Sequence, residues 1–246
     1  MRVAALYDVH GNLPALEAVL DALSDASPDL IVVGGDVVPG PMPSESLAAL
    51  LSLSIPVRFI HGNGERDALA AHRGEDLSHV PPAFHDAMRW VAKELSPEHL
   101  TDMAGWPLTL RLDHPTLGSV LFCHATPRDV REIFTRVTPE ERLRPVFDAA
   151  GASVVVCGHT HMQFDRSVGN VRVLNAGSVG MPFGEPGAYW ALLGGEIELR
   201  HTPYDLPAAA ERMGKSGYPA TSAFDVLHPP AAAEMLEVFE AAALRL

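Results

Sequence analysis

Three apolar runs near the N-terminus each empty into a short polar tip. Val3-Ala4-Ala5-Leu6-Tyr7 leads into Asp8-Val9-His10-Gly11-Asn12, Leu30-Ile31-Val32-Val33 into Gly34-Gly35-Asp36, and Ile55 to Ile60 into His61-Gly62-Asn63-Gly64-Glu65. Short continuous apolar runs bounded by glycine read as strands buried on both faces. Between the first two tips Leu16, Val19, Leu20 and Leu23 recur at helical spacing, with Pro14 suited to a first turn and Asn12 or Leu13 near the cap. Leu47, Leu50 and Leu51 do the same before the third tip, with Ser44 placed to cap that helix. Asp8, Asp36 and Asn63 stand 28 and 27 residues apart, a spacing that predicts right-handed β-α-β crossovers and parallel strands. Such crossovers bring Asp8, His10, Asp36 and Asn63 to one edge, the carboxyl-end edge where open α/β sheets place their sites.

From about residue 67 to 106 the chain reads as helical, with an amphipathic stretch carrying Phe84, Met88, Val91 and Leu95, and with Ser96-Pro97 as the cap and first turn of another helix. Leu108 to Leu112 and Ser119 to Phe122 flank the turn-like Asp113-His114-Pro115-Thr116 and predict a hairpin whose second strand ends at Cys123-His124. A helix after Pro139 precedes Val154-Val155-Val156-Cys157, which opens into Gly158-His159-Thr160-His161. The short strands Met162 to Ser167, Val171 to Leu174, Ala188 to Leu193 and Ile197 to His201 have loops too short for crossovers and read as antiparallel. Past Pro203 an interrupted helical tail suits a lid or an edge cover. The domain reading is a single unit over residues 1–246, with a helical insert at about 67–106 and a C-terminal cover at about 203–246.

Acidic residues number 31 against 18 basic ones, a formal charge of -13. That balance argues against stable binding to nucleic acid or to an anionic membrane. Cys123 and Cys157 each lie in an apolar run beside a histidine and read as buried thiols of a reducing cytosol, not as a disulfide framework. The N-terminus enters a strand directly, without the sections of a signal peptide, and no apolar segment approaches the roughly 20 residues of a membrane span. The expected location is therefore the cytoplasm. No Gly-x-Ser-x-Gly elbow, phosphate loop or dinucleotide fingerprint occurs, which sets aside serine hydrolase, kinase and dehydrogenase chemistry.

Five strand ends then offer Asp8 and His10, Asp36, Asn63, His124, and His159 with His161. Oxygen and imidazole donors suit manganese, iron or zinc better than calcium, which prefers all-oxygen shells. Seven ligands suggest two ions, and a carboxylate can bridge ions about 3.5–4 Å apart, with Asp36 the candidate in the middle of the set. Each residue also has a plainer reading: Asp8 and Asn12 as turn or cap residues, Asn63 as a left-handed turn between glycines, His124 as a core histidine. That every strand should end by accident in a metal ligand is the weaker account.

Asp-x-His, Gly-Asp, Gly-Asn, a strand-terminal His and Gly-His-Thr-His, in that order over residues 8 to 161, resemble the calcineurin-like metallophosphoesterase superfamily, most of all its small bacterial and archaeal phosphodiesterase branch. Asn175-Ala176-Gly177-Ser178-Val179-Gly180 is similar to that branch's Asn-Pro-Gly-Ser loop. The resemblance implies an α/β fold, a four-layer αββα sandwich of two mixed sheets flanked by helices. It also implies that Asp8, His10 and His161 hold one divalent ion, that Asn63, His124 and His159 hold a second, and that Asp36 holds both, with manganese favoured. The activity implied is hydrolysis of a small nucleotide or other phosphodiester by in-line attack of a metal-bridging hydroxide. Alternatives are a phosphomonoesterase, a dinucleoside polyphosphate hydrolase, or a non-catalytic binding scaffold of the same fold.

The chain departs from the pattern at one place. Many relatives carry Gly-Asn-His at the third motif, where the histidine protonates the leaving group; here that position is Gly64. His61 could replace it only if the loop turns it inward. Asn12 and Arg66 are candidate contacts to a substrate phosphate, against plainer roles as a helix cap and as a surface arginine paired with Glu65 or Asp67. His72, His79, His85, His99 and His114 have no assigned role and are expected at the surface. The apolar C-terminal residues Met235, Leu236, Val238, Phe239 and Leu244 suit packing or a homo-oligomer contact.

Overall fold

The structure, a computed structural model, describes residues 1–245, so residue 246 of the expected cover lies outside the described residues. Each of the three opening apolar runs is a strand: β1 (Val3–Leu6), β2 (Leu30–Val33) and β3 (Val57–Phe59). They pair in parallel, with Val3 opposite Leu30 and Ile31 opposite Val57. Successive side chains point to opposite faces, and here both faces are apolar. Ala4, Leu6, Ile31 and Val33 pack on Leu16 and Val19 of α1 (Leu13–Ala26) and on Leu47 and Leu50 of α2 (Pro43–Leu51). Val3, Ala5, Tyr7 and Val32 face the other way, against a second sheet.

That second sheet takes β4 (Thr109–His114), β5 (Gly118–Cys123), β6 (Val154–Cys157), β7 (Phe164–Val168) and β8 (Val171–Asn175) in the order β4-β5-β6-β8-β7. Val120, Phe122, Val154, Val156 and Leu174 meet the first sheet. On the far face Leu121, Cys123, Val155 and Cys157 pack on Leu143, Val146 and Phe147 of a helix at Glu140–Phe147. β9 (Ala188–Leu193) and β10 (Ile197–Thr202) return to the first sheet as a hairpin, giving the order β10-β9-β1-β2-β3. Helices, sheet, sheet, helices: the architecture is the four-layer αββα sandwich with two mixed sheets.

Between β3 and β4 the chain forms α3 (Asn63–His72), α4 (His85–Glu94) and α5 (Pro97–Ala104), with Ser96 capping α5 through the His99 amide. The helix after Pro139 is α6, and the tail holds α7 (Leu206–Gly214) and α8 (Ala232–Ala242). The tail acts as a strap. Glu240 on α8 accepts hydrogen bonds from the hydroxyls of Thr135 (2.7 Å) and Thr138 (2.6 Å), and the Leu244 amide donates to Ile133 (2.8 Å), all in the loop between His124 and α6. Among the described residues no helix is long and apolar enough to cross a membrane.

Some local expectations are corrected. Ser44 does not cap α2: Met42 precedes the helix, Pro43 opens it, and the Ser44 hydroxyl donates to the Glu94 carbonyl at 2.5 Å. β3 is shorter than Ile55 to Ile60 because Pro56 has no amide to give to a ladder. β8 runs parallel to β6, since β7 makes an antiparallel detour at the sheet edge. His114 is buried, with Nε2 on the Met1 carbonyl at 3.0 Å and Nδ1 accepting from the Thr116 and Leu117 amides, so it braces the hairpin turn.

Candidate metal centre

At the carboxyl ends of β1, β2 and β6 the backbone turns left-handed. Asp8, His10, Asp36, His159 and His161 have φ values of 54, 48, 53, 66 and 57°. A non-glycine residue held there costs of order 1–3 kcal/mol, a strain that clusters at functional sites. The turns are laced together: the Asp8 amide donates to Gly35 (3.1 Å), the His10 amide to Asp36 (2.9 Å) and the Gly158 amide to His124 (2.8 Å). Glycine lets the carboxylates in. A Cβ on Gly62 would lie 2.1 Å from Asp36 Oδ1, and one on Gly158 would lie 2.4 Å from Asp8 Oδ2.

All seven candidate ligands meet at this edge. His10 Nε2 lies 3.1 Å from His161 Nε2, and His161 Nε2 is 3.4 Å from Asp8 Oδ1. On the other side His124 Nε2 is 3.2 Å from Asn63 Oδ1 and 3.5 Å from Asp36 Oδ1, with the His159 ring 5.1 Å from the His124 ring. Asp36 faces both groups: Oδ2 lies 3.8 Å from His10 Nε2 and Oδ1 faces His124. Asp8 Oδ1 is also central, at 3.9 Å from both His10 Nε2 and His124 Nε2.

The donor chemistry fits cations. A carbonyl can only accept, so His10 Nδ1 on Pro39 O (3.2 Å), His161 Nδ1 on Met181 O (2.6 Å) and His124 Nδ1 on Gly34 O (2.9 Å) must each be the protonated nitrogen. Their Nε2 lone pairs then converge, and two lone pairs 3.1 Å apart repel unless a positive charge lies near them. Asp8 Oδ1 is buried and accepts no hydrogen bond. Burial, then the neighbouring His161, pushes His10 down to about 3, and burial, then His124, does the same to His159, so both imidazoles are neutral at ordinary pH. Burial, followed by the charges of Glu65 and Asp8, raises Asp36 well above the usual carboxylate range. Burial alone would raise Asp8 too, but His161, His124 and His10 hold it below that range. Bound divalent cations would relieve this imbalance.

Glu65 is the functional residue that sequence reasoning missed. The sequence offers it only as an ion-pair partner for Arg66, yet it is fully buried and accepts four backbone N–H groups: Asp36 (2.9 Å), Val37 (2.7 Å), Val38 (3.3 Å) and Gly62 (2.8 Å). It therefore pins the Asp36 loop to the start of α3. Removing it would leave several buried donors unsatisfied, each costing ~1–3 kcal/mol. Glu65→Ala is expected to lose at least about 3 kcal/mol by urea denaturation of metal-free protein; a loss below about 1 kcal/mol would remove the bracing role.

The other predicted residues fall into place unequally. Asn12 is fully buried: Oδ1 caps α1 through the Ala15 amide (3.1 Å), and Nδ2 donates to Gly180 O (2.8 Å) and Tyr204 Oη (3.1 Å). Both amide hydrogens are used, so no donor remains for a substrate phosphate. Arg66 is exposed, and neither expected partner is available to it. Glu65 is turned inward, and Asp67 pairs with Arg131 and with His79 (2.6 Å). His61 is buried, 6.1 Å from the Trp106 ring. Gly64 has no room for a side chain: a Cβ there would lie 2.0 Å from the Val38 carbonyl oxygen.

Comparison with known proteins bears on the fold and the family. The uncharacterized protein MJ0912 of Methanocaldococcus jannaschii is 27% identical over 237 residues, covering 88% of this chain and 93% of that one. A metallophosphoesterase from Sphaerobacter thermophilus superposes with a TM-score of 0.71 at 25% identity, covering 92% of this chain and 99% of its own. The hypothetical protein PH1004 from Pyrococcus horikoshii OT3 shares the fold at a TM-score of 0.76 and 19% identity, over 97% of each chain. Residues 1–194 match the model of the calcineurin-like phosphoesterase superfamily domain. With that match over most of its length and a cluster of divalent-metal donors at the expected strand ends, the chain belongs to the calcineurin-like phosphoesterase superfamily of metal-dependent phosphoric ester hydrolases.

Proposed function

We propose that this protein is a dinuclear phosphodiesterase acting on a small nucleotide or another phosphodiester, with manganese the favoured metal. The observation that carries the reading is Asp36, whose two oxygens face separate imidazole groups, Oδ2 towards His10 and Oδ1 towards His124. Asp8, His10 and His161 would hold one ion, Asn63, His124 and His159 the other, and Asp36 both. When bound, two divalent cations supply Lewis-acid charge for the phosphoryl oxygens and lower the pKa of a water nucleophile towards ~7.

The chain's own residues do the rest. Carbonyls of Gly34, Pro39 and Met181 fix the imidazole tautomers, and Glu65 and the Gly64 amide (2.7 Å) fix Asp36. Phe183 stacks on the His161 ring at 5.3 Å, and Phe224 meets the His10 ring edge-on at 6.1 Å, so the wall beside these histidines is apolar. The buried thiols of Cys123 and Cys157 suit a cytoplasmic setting.

The test combines metal content, stability and turnover. Protein purified without chelator is expected to carry about two transition-metal ions per chain and to hydrolyse bis(4-nitrophenyl) phosphate with manganese. Stripping the ions with EDTA is expected to abolish turnover and lower Tm by at least about 10 °C, because each ion at ~1,000 times its Kd contributes ~4 kcal/mol and each kcal/mol moves Tm by ~2–4 °C at this size. Manganese should restore both. Two tightly held ions with no turnover of any phosphoester would instead favour the binding scaffold, and a Tm indifferent to EDTA would exclude the metal centre.

A further inference from the structure

The residues that would hold the second ion come from separate elements. Asn63 opens α3, His124 follows β5 and His159 follows β6. Parallel pairing of β5 with β6, Phe122 opposite Val156, fixes the last two relative to each other. Asn63 arrives from the other sheet, behind β3, so its place beside them depends on contacts between loops.

One ion pair makes such a contact. Asp67 follows Asn63 by four residues on α3, so the two share a helix face. It is 4% exposed and accepts from the Arg131 guanidinium and from His79 Nε2 (2.6 Å). The Arg131 backbone carbonyl in turn accepts from the His159 ring. A carbonyl can only accept, so the ring nitrogen it meets carries the proton and the other keeps the lone pair that a cation needs. Arg131 thus reaches the helix of Asn63 with its side chain and the ring of His159 with its main chain. The loop that carries it holds its own shape. The Thr126 amide donates to Asp129 O (3.0 Å), the Arg131 amide donates to Asp129 Oδ1 (2.6 Å), and buried Glu132 accepts from Thr126 Oγ1 (2.8 Å) and Arg128 Nε (2.9 Å). Such a loop moves as a piece, and the pair with Asp67 sets where that piece sits against α3.

We infer that Asp67 and Arg131 are positioning residues for the second metal ion: their ion pair sets the separation of Asn63 from His159, and with it the affinity of that one site. The inference rests on the dinuclear reading. Charge alone would act differently. Were the two only charges near a cation, loss of Asp67 would weaken binding and loss of Arg131 would tighten it. Positioning makes both losses weaken the same ion.

The test is manganese binding to the full chain by equilibrium dialysis, with the EPR signal of the bound manganese recorded alongside. Wild type is expected to take up about two ions per chain and to give the exchange-coupled signal of a pair. Asp67→Asn and Arg131→Ala should each lower the affinity for one ion by about 10–100-fold and change the other by less than about threefold, so that the coupled signal gives way to that of an isolated ion. Arg131→Lys should keep part of the affinity. The double variant should stay within about threefold of the weaker single variant, because both act through one contact. On a His159→Ala background, which already lacks a ligand of the second ion, Asp67→Asn should leave the remaining affinity within about threefold. Melting of the metal-free protein verifies that each variant folds, and Asp67→Asn with Arg131→Lys carries the test if Arg131→Ala does not fold. Tighter binding by Arg131→Ala, equal weakening of both ions, or unchanged affinities overturn the positioning role while leaving the dinuclear centre standing. A wild type that takes up one ion or none overturns both.

Discussion

Asp36→Asn is expected to lower kcat for bis(4-nitrophenyl) phosphate by about 10³-fold or more, with little change in fold. The substitution keeps the shape of the side chain and its contact with the Gly64 amide but removes the negative charge shared between the two imidazole groups. Asparagine has one acceptor oxygen, so it cannot face His10 and His124 with an acceptor at the same time. Loss of one of the two cations forfeits several kcal/mol of charge stabilisation, and about 4 kcal/mol corresponds to about 10³ in rate. Metal analysis decides the cause: content should fall from about two ions per chain to one or fewer. Stability of the metal-free form should hold or rise, because Asp36 is buried among like charges from Glu65 and Asp8 that raise its pKa. Two retained ions with less than a tenfold loss of kcat would show that Asp36 does not bridge the centre.

Much of this centre is legible in the amino-acid sequence, for a physical reason. A buried parallel strand must be apolar along its whole length, so a polar residue at its end marks the point where the chain leaves the core. Asp8, Asp36, Asn63, His124 and His159 all stand at such points, and parallel pairing of β1, β2 and β3 forces the first three together. What stays hidden depends on contacts across loops. Glu65 looks like a solvated helix residue until the Asp36 loop folds over it, and Asn12 looks free until Gly180 and Tyr204 claim its amide. Arg66 shows the reverse: its neighbours in sequence promise an ion pair, but Glu65 and Asp67 face other partners.

Gly64 carries the second large expectation, which concerns what cannot be restored. Wild type should show a steep dependence of rate on leaving-group pKa, since a missing general acid typically withholds ~10²–10⁴ in rate and matters most for poor leaving groups. The obvious repair is Gly64→His, the residue that the resembled family pattern implies at the third motif. The structure opposes it. A Cβ at this position would lie 2.0 Å from Val38 O, 2.7 Å from Pro39 Cδ and 2.9 Å from Val38 C, all parts of a loop that cannot yield cheaply. The Val38 amide is held by Glu65, and the Pro39 carbonyl orients His10. Moving the loop would therefore disturb Asp36 and His10 together. Gly64→His is expected to lose activity on aryl diesters by about tenfold or more and to leave alkyl diesters unturned, and Gly64→Ala should do comparable damage although it adds no acid or base. Comparable damage separates sterics from proton transfer. A Gly64→His variant that kept wild-type Tm and flattened the leaving-group dependence would show that the loop does yield, and that the missing histidine was only a missing acid.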